Sequence, residues 1–487
     1  MKDIIVNIND IVWGAPALLL ILGVGGYLSL RLGFVQVSLF PEALRQFFRQ
    51  LIPGKGREKS SFQALCTALA ATVGTGNLVG VAGAICIGGP GADFWIWICG
   101  ILGMATKYAE AVLAVRYRVK TQTGYAGGPM YIITQGLPGK FHFLAYFYAL
   151  FGVIASFGVG NVTQIHAAIT GIREALLVFH RTPGKSFDFL LAAALAVLVG
   201  FCLFGGAKRI ASAAEALVPF AALGYLLLCL GLLILKRRNI PFAIIRIVQG
   251  AFSPRAVTGG MIGSAFQVLR IGCSRGVFTN EAGMGTASIA HAGAGDVPPA
   301  QQGLMGIMEV FLDTILICTL TALAILVSDV PVPYGVDMGG QLTSRAFSVV
   351  YGRGAAVWLA MVLTLFALAT VIGWGLYGAR CAEFLFGNKA WRYFSVLQVV
   401  SIVAGSCLET ATVWQLAEAV NGLMAIPNLI TLAVLTPEVV RLTKDYKKSG
   451  NQKAGGGNYA NFHQCKPLCT FSHEKVPPSG CTGQERG

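Results

Sequence analysis

The stretch ATVGTGNLVG, Ala71 to Gly80, interrupts a run of apolar sequence long enough to cross a bilayer. Gly74, Gly76 and Gly80, with Thr72, Thr75 and Asn77 among them, stand where the middle of a spanning helix belongs. Glycine lets the backbone leave helical geometry at little steric cost. A span unwound here turns bare N–H groups toward the bilayer centre, at the start of its second half, where they attract an anion such as a carboxylate. The freed carbonyls, with the Thr and Asn oxygens, offer hard ligands to a small cation such as Na⁺. An amino-acid zwitterion beside Na⁺ satisfies both sets, and its own carboxylate neutralises the ion.

The rest of the chain sets that break in a membrane. Of 487 residues, 55% are apolar and 12% charged, against roughly a quarter charged in soluble domains. Mean hydropathy is +0.66. Apolar stretches near the roughly 20 residues of a spanning helix recur along almost the whole length. In hydrocarbon every backbone polar group must be satisfied internally, so the fold class is an all-α polytopic membrane protein. A β-barrel requires short alternating segments, and they are absent. The formal charge of +15 gathers in membrane-flanking segments, where it sets orientation and meets anionic lipid. No segment is long enough for a basic nucleic-acid-binding domain. The stretch before residue 11 pairs Lys2 with Asp3 and Asp10, unlike a signal peptide, so residues 11–30 read as a retained first helix.

Candidate spans are 11–31, 62–88, 92–115, 142–171, 187–205, 211–235, 260–290, 303–327, 355–385, 393–413 and 416–436, about eleven helices at this spacing. Basic residues follow the first span (Arg45, Arg49, Lys55, Arg57, Lys59), the third (Arg116, Arg118, Lys120, Lys140), the fifth (Lys208, Arg209) and the last (Arg441, Lys444, Lys447, Lys448). These regions share one side, expected to be cytoplasmic, with the N-terminus outside and the C-terminus inside. Lys236, Arg237, Arg238, Arg246 and Arg255 run against that rule, and FAIIRIVQGAF among them has the spacing of an interfacial helix. The expected organisation is an N-terminal helix with a basic cytoplasmic loop (1–60), a five-helix repeat (61–240), a second five-helix repeat (241–440) and a basic, disordered cytoplasmic tail (441–487). Its composition turns Gly/Asn/Lys-rich from about 445.

A second break falls within Gly272–Gly285, in the span that opens the second five-helix unit. Paired glycine interruptions at matching places in two halves point to a transporter built from inverted repeats, with its site at mid-membrane. Two other readings fit less well. GTGNLVG resembles a dinucleotide loop, but that loop needs a preceding strand, and Asp93, the acid at the right distance, begins another span. Gly76 and Gly80 have the spacing of close helix packing, which does not account for two polar breaks. Nine of the twelve Cys lie in or beside apolar segments as packing residues. Cys465, Cys469 and Cys481, near His463 and His473, have a loose spacing for zinc.

At these residues the chain resembles the sodium:alanine (or glycine) symporter family of bacteria and archaea. The matching stretches are SSFQALCTALAATVGTGNLVGVAGAICIGGPGADFWIW (60–97), KYAEAVLAVRYR (107–118), GGPMYIITQGL (127–137), RGVFTNEAGMG (275–285), FLDTILICTLTAL (311–323) and GWGLYG (373–378). The resemblance implies the leucine-transporter fold, a 5+5 inverted repeat preceded by one extra helix. It implies that Thr75 and Gly76 meet the substrate carboxylate, and that Thr72 and Asn77 supply oxygens to a nearby sodium. A second sodium would lie between Thr370 and the carbonyls of Val73 and Ala367. Gln164, one turn from Asn161 in FGVGNVTQIHA, is expected to touch substrate, and Trp374 to wall the pocket. The alternatives are interhelical hydrogen bonding for Asn161 and Gln164, and plain packing for Trp374. Gly276, Phe278 and Thr279 complete the cavity.

A buried acid in a membrane is functional by default. Glu281, in the second break, is expected to pair with Arg275 or Lys107, to hold the break or a cytoplasmic gate. Lys107 and Glu110 read as a same-face pair. Glu309 and Asp313 are like charges one turn apart, costly unless one is protonated or paired. Asp313 reads as structural, and His166 and His291 lack convergent partners. No catalytic set is readable, so an enzyme is not expected. The expected activity is sodium-coupled import of alanine or glycine across the plasma membrane, with sodium as the co-transported ion and no nucleic acid or obligatory protein partner. Proton coupling through Glu281 is the runner-up, and a non-transporting amino-acid receptor the alternative of another class.

Overall fold

Helix is the only local structure that satisfies its own backbone in hydrocarbon, and helices fill this protein. The computed structural model describes residues 14–52, 59–121, 124–260, 262–336, 338–406 and 410–453. In chain order the main elements are α1 (Ala15–Arg31), α2 (Lys59–Thr72), α3 (Gly76–Gly88) and α4 (Gly91–Arg116). Next comes α5, in which a π-helical turn Gly158–Val162 joins Phe143–Phe157 to Thr163–Val178. Then follow α6 (Lys185–Leu203), α7 (Gly206–Leu235), α8 (Ile240–Phe252), α9 (Ala265–Asn280) and α10 (Thr286–His291). In α11 a π-helical stretch Phe311–Cys318 joins Pro299–Val310 to Thr319–Val327. The chain continues as α12 (Gly340–Tyr351), α13 (Gly354–Phe386), α14 (Ala390–Gly405) and α15 (Thr410–Lys453). A two-stranded antiparallel hairpin, Val119–Thr121 with Gly124–Ala126, follows α4.

Among the described residues seven helices are long and apolar enough to cross a membrane, and an eighth if the bent pair α2 and α3 counts as one span. Two shorter apolar helices, Pro16–Arg31 and Ala390–Gly405, fall below that length. Leu190, Val197, Phe201, Phe220, Leu223 and Leu227, on α6 and α7, are exposed, as expected of side chains facing lipid. By contrast α4 and α13 are buried along most of their length and form the centre. Small residues allow that density. A Cβ on Gly306 of α11 would lie 2.6 Å from the Lys107 carbonyl of α4, and one on Gly373 of α13 would lie 2.9 Å from the Ala71 nitrogen of α2.

One expectation changes and another holds. The tail does not begin at about 445: α15 continues as helix to Lys453, with Pro437 inside it. Cys465, Cys469 and Cys481, with His463 and His473, lie outside the described residues, as do Lys2, Asp3 and Asp10. Also, Phe242, Ile244, Ile245, Val248 and Phe252 of α8 are exposed while Ala243, Ile247, Gly250 and Ala251 are buried. The helix is amphipathic, as its sequence spacing suggested.

Candidate functional site

α2 and α3 are bent by 47° at the first break, where Val73 and Gly74 leave the helix. The chain does not simply fray there. The Gly74 N–H donates to Asn77 Oδ1 at 2.9 Å, a side chain replacing the lost helical acceptor. Asn77 Nδ2 donates to Asp313 Oδ1 at 2.8 Å and to the Asp313 carbonyl at 3.0 Å, and lies 3.4 Å from Cys318 Sγ. Asn77 is therefore a clamp between the break and the π-helical stretch of α11. Its Oδ1 keeps one lone pair for a cation. Thr75 donates to Gln164 Oε1 at 3.1 Å, and Gln164 donates in turn to the Val159 carbonyl at 3.1 Å, within the π-turn of α5. Thr72 donates to the Ala68 carbonyl at 3.3 Å.

Two glycines bring the other walls in. A Cβ on Gly74 would sit 2.6 Å from Thr370 Oγ1 and 3.5 Å from Gln164 Oε1. One on Gly76 would sit 3.0 Å from Thr279 Cγ2 and 3.6 Å from Phe278 Cδ1. Thr72, Thr75, Gly76, Asn77, Gln164, Thr279 and Thr370 thus gather around one break, all buried. Val73 and Ala367 are buried beside them in the same core. Gly276 faces elsewhere, packed on Cys99 and Ile96 of α4. Asn161 follows its alternative reading, donating to the Gln398 carbonyl at 3.0 Å and to Ser401 Oγ at 2.5 Å on α14.

The second break lies at the far end of its sequence window. α9 is helical to Asn280, and Glu281, Gly283 and Gly285 then take positive φ of 53°, 93° and 79°. Glu281 does not pair with Lys107 or Arg275 as a gate. Its Oε2 accepts from Thr286 Oγ1 at 2.6 Å, and its Oε1 from the Trp374 indole N–H at 3.0 Å. Arg275 instead places its guanidinium 6.0 Å from the Phe278 ring centroid. Trp374 is held from the other side as well, because a Cβ on Gly160 would meet its Cβ at 2.3 Å.

Lys107 pairs with Glu309 at 2.8 Å, not with Glu110. Glu309 also bonds His291 Nε2 at 3.0 Å, His291 Nδ1 contacts Gln302 at 2.7 Å, and Gln302 accepts from Ser61 at 2.6 Å. His291 therefore does have convergent partners. The like charges Glu309 and Asp313 are each satisfied separately, Asp313 by Asn77 and by Thr314 at 2.8 Å. Glu110 has a different task. Its Oε1 accepts from the Gly283 N–H at 3.0 Å, the Gly285 N–H at 3.1 Å and Asn428 Nδ2 at 2.8 Å. It supplies the acceptor that the second break's backbone has lost. Asp313 and Glu110 are the residues that sequence reasoning undervalued, although both are acids within membrane spans. Among the described residues no group of three or more His, Cys, Asp and Glu converges as a metal site.

Beside the first break a cavity of about 490 Å³ opens between α3, α5, α9, α12 and α13. Val79, Gly80, Thr163, His166, Arg275 and Gln341 are among its lining residues. It stops short of Thr75, Asn77 and Gln164, which stay buried beneath it.

The fold matches that of MhsT, a leucine-transporter-fold protein solved in complex with L-phenylalanine. The TM-score is 0.53 at 13% identity, covering 78% of this chain and 97% of that one. A curated relative from Methanococcus maripaludis, the sodium/alanine symporter AgcS, is 40% identical over 92% of this chain and 98% of its own. Another from Bacillus subtilis, named a putative sodium/proton-dependent alanine carrier protein, YrbD, is 34% identical over 93% and 94%. The sodium:alanine symporter family profile matches residues 1–460. With two thirds of its length and more aligned at such identity, the chain belongs to the sodium:alanine symporter family, and is a multi-pass amino-acid symporter of the plasma membrane and not an enzyme.

Proposed function

We propose that this symporter couples the inward sodium gradient to import of a small neutral amino acid, alanine or glycine. The observation that carries the reading is the buried convergence of Thr75, Asn77, Gln164, Thr279 and Thr370 on the break at Gly74. In this reading the Thr75 and Gly76 amides receive the substrate carboxylate. Thr72 and Asn77 hold a sodium beside it. Thr370 holds a second with the carbonyls of Val73 and Ala367. Gln164, Phe278 and Trp374 bound the substrate, with Gly276 contributing backbone at most. Asp313 orients Asn77, and so joins the sodium machinery indirectly.

The proposed architecture behind this site is eleven spans, a 5+5 inverted repeat (61–240 and 241–440) after one extra helix (1–60), with the N-terminus outside and the C-terminus cytoplasmic. Matching breaks in α2/α3 and α9/α10 support it. Segment 441–487 then begins as helix, to Lys453. Alternating access would rock one bundle against the other, filling the site from the 490 Å³ cavity. Sodium would raise substrate affinity, and substrate would raise sodium affinity by the same factor.

Proteoliposomes carrying the full chain test this. Labelled alanine should accumulate under a sodium gradient, and Asn77→Ala should abolish accumulation while the protein remains inserted. Undiminished uptake by that variant overturns the site. Proton coupling through Glu281 finds less support, because both its oxygens are engaged as acceptors in a bridge from Thr286 to Trp374. Uptake driven by a pH gradient without sodium would reinstate it.

A further inference from the structure

Asp93, the third residue of α4, has no part in the site described above. It is fully buried, and neither carboxylate oxygen has a hydrogen-bond partner. The buried acids Glu110, Glu281, Glu309 and Asp313 each have at least one. No charged side chain among the described residues acts on Asp93. The ionisable group whose field it shares is the Cys318 thiol, on the π-helical stretch of α11, and Cys318 Sγ is the atom 3.4 Å from Asn77 Nδ2. Other helices close tightly around this first turn. A Cβ on Gly91 would overlap the Gly250 backbone of α8, one on Gly272 of α9 would lie 2.3 Å from the Ala92 carbonyl, and one on Gly88 of α3 would lie 3.1 Å from Ala92 Cβ.

A carboxylate without donor or counter-ion is costly in such a place, and the neutral acid much less so. The α4 N-terminus favours the anion, but only modestly against that cost. We propose that Asp93 is a proton-binding site. The conformation described here holds it as the neutral acid. A conformation that wets the first turn of α4 breaks the O–H bond, giving the proton to water and leaving the carboxylate. Proton occupancy therefore favours the tight packing of α3, α8 and α9 around the first turn of α4.

The full chain in lipid nanodiscs tests this by infrared spectroscopy and by thermal unfolding, neither of which depends on which solute or ion is carried. A failure of the sodium and alanine reading would therefore show separately. At neutral pH the wild type should display the C=O stretch of a protonated carboxylic acid that Asp93→Asn lacks. The native state holds a proton that the unfolded chain gives up, so stability should fall as pH rises. The wild-type Tm should accordingly fall with rising pH more steeply than that of Asp93→Asn or Asp93→Leu, with the other acids cancelling in the difference. Superimposable spectra and equal slopes would overturn the proposal. Failure of both variants to fold would overturn it too, because it would mean that the ionised carboxylate is required.

Discussion

At Gly74 the absence of a side chain is what admits Thr370 and Gln164 to the first break. Gly74→Ala would place a methyl group 2.6 Å from Thr370 Oγ1, an overlap that costs about 1–3 kcal/mol in a packed interior. We expect sodium-driven uptake to fall roughly tenfold or more on that basis, since each 1.4 kcal/mol is a factor of ten. Gly23→Ala, with nothing within 4 Å of its Cβ, is the matched control and should transport normally. Equal rates for the two variants would show that contact at Gly74 is dispensable. Thr75, Asn77 and Gln164 were legible beforehand because polar residues beside glycines are conspicuous in an apolar span. Their partners were not. That Asn77 bonds Asp313, 236 positions away, depends on how α11 lies against α3, and no local pattern in FLDTILIC encodes it.

The second break shows what sequence reveals about an element and what it conceals. Glycines marked the window, and Glu281 marked it as polar. The location of the break within that window was set by Gly283 and Gly285, whose positive φ values end the helix. The acceptor for their N–H groups comes from another helix. Glu110 fulfils it, and charge-assisted bonds of this kind contribute about 1.5–3 kcal/mol each. Glu110→Ala should therefore lower the Tm and speed amide hydrogen exchange between 281 and 291, while exchange in α6 stays unchanged. Uniform loss of protection, or none, would count against Glu110 as the holder of this break. Lys107 and Glu110 were read as one pair because they are one turn apart. The helix instead sends them to different neighbours, Glu309 and the glycine linker.

For the whole molecule, charge and hydropathy were enough to identify a helical membrane protein, and the stretches around the two breaks its family. Direction in the bilayer rests on the basic loops alone. Single cysteines at Lys140 and Lys236, in a background with the twelve native cysteines replaced, test it with a membrane-impermeant thiol reagent on intact cells. The proposed topology expects Lys236→Cys to be labelled and Lys140→Cys to be protected. The opposite pattern would invert the protein. α15 runs past its expected limit where tertiary contact outweighs composition, the Tyr446 hydroxyl donating to Glu42 at 2.5 Å.

Trp374 is gripped from two directions, by the bare backbone of Gly160 and by the carboxylate of Glu281. In the proposed site, a ring pinned in this way cannot swing aside to admit a larger guest. Directed evolution toward bulkier cargo would thus have to alter α5, α13 and the α9–α10 linker together, which makes size selection a collective property of that junction.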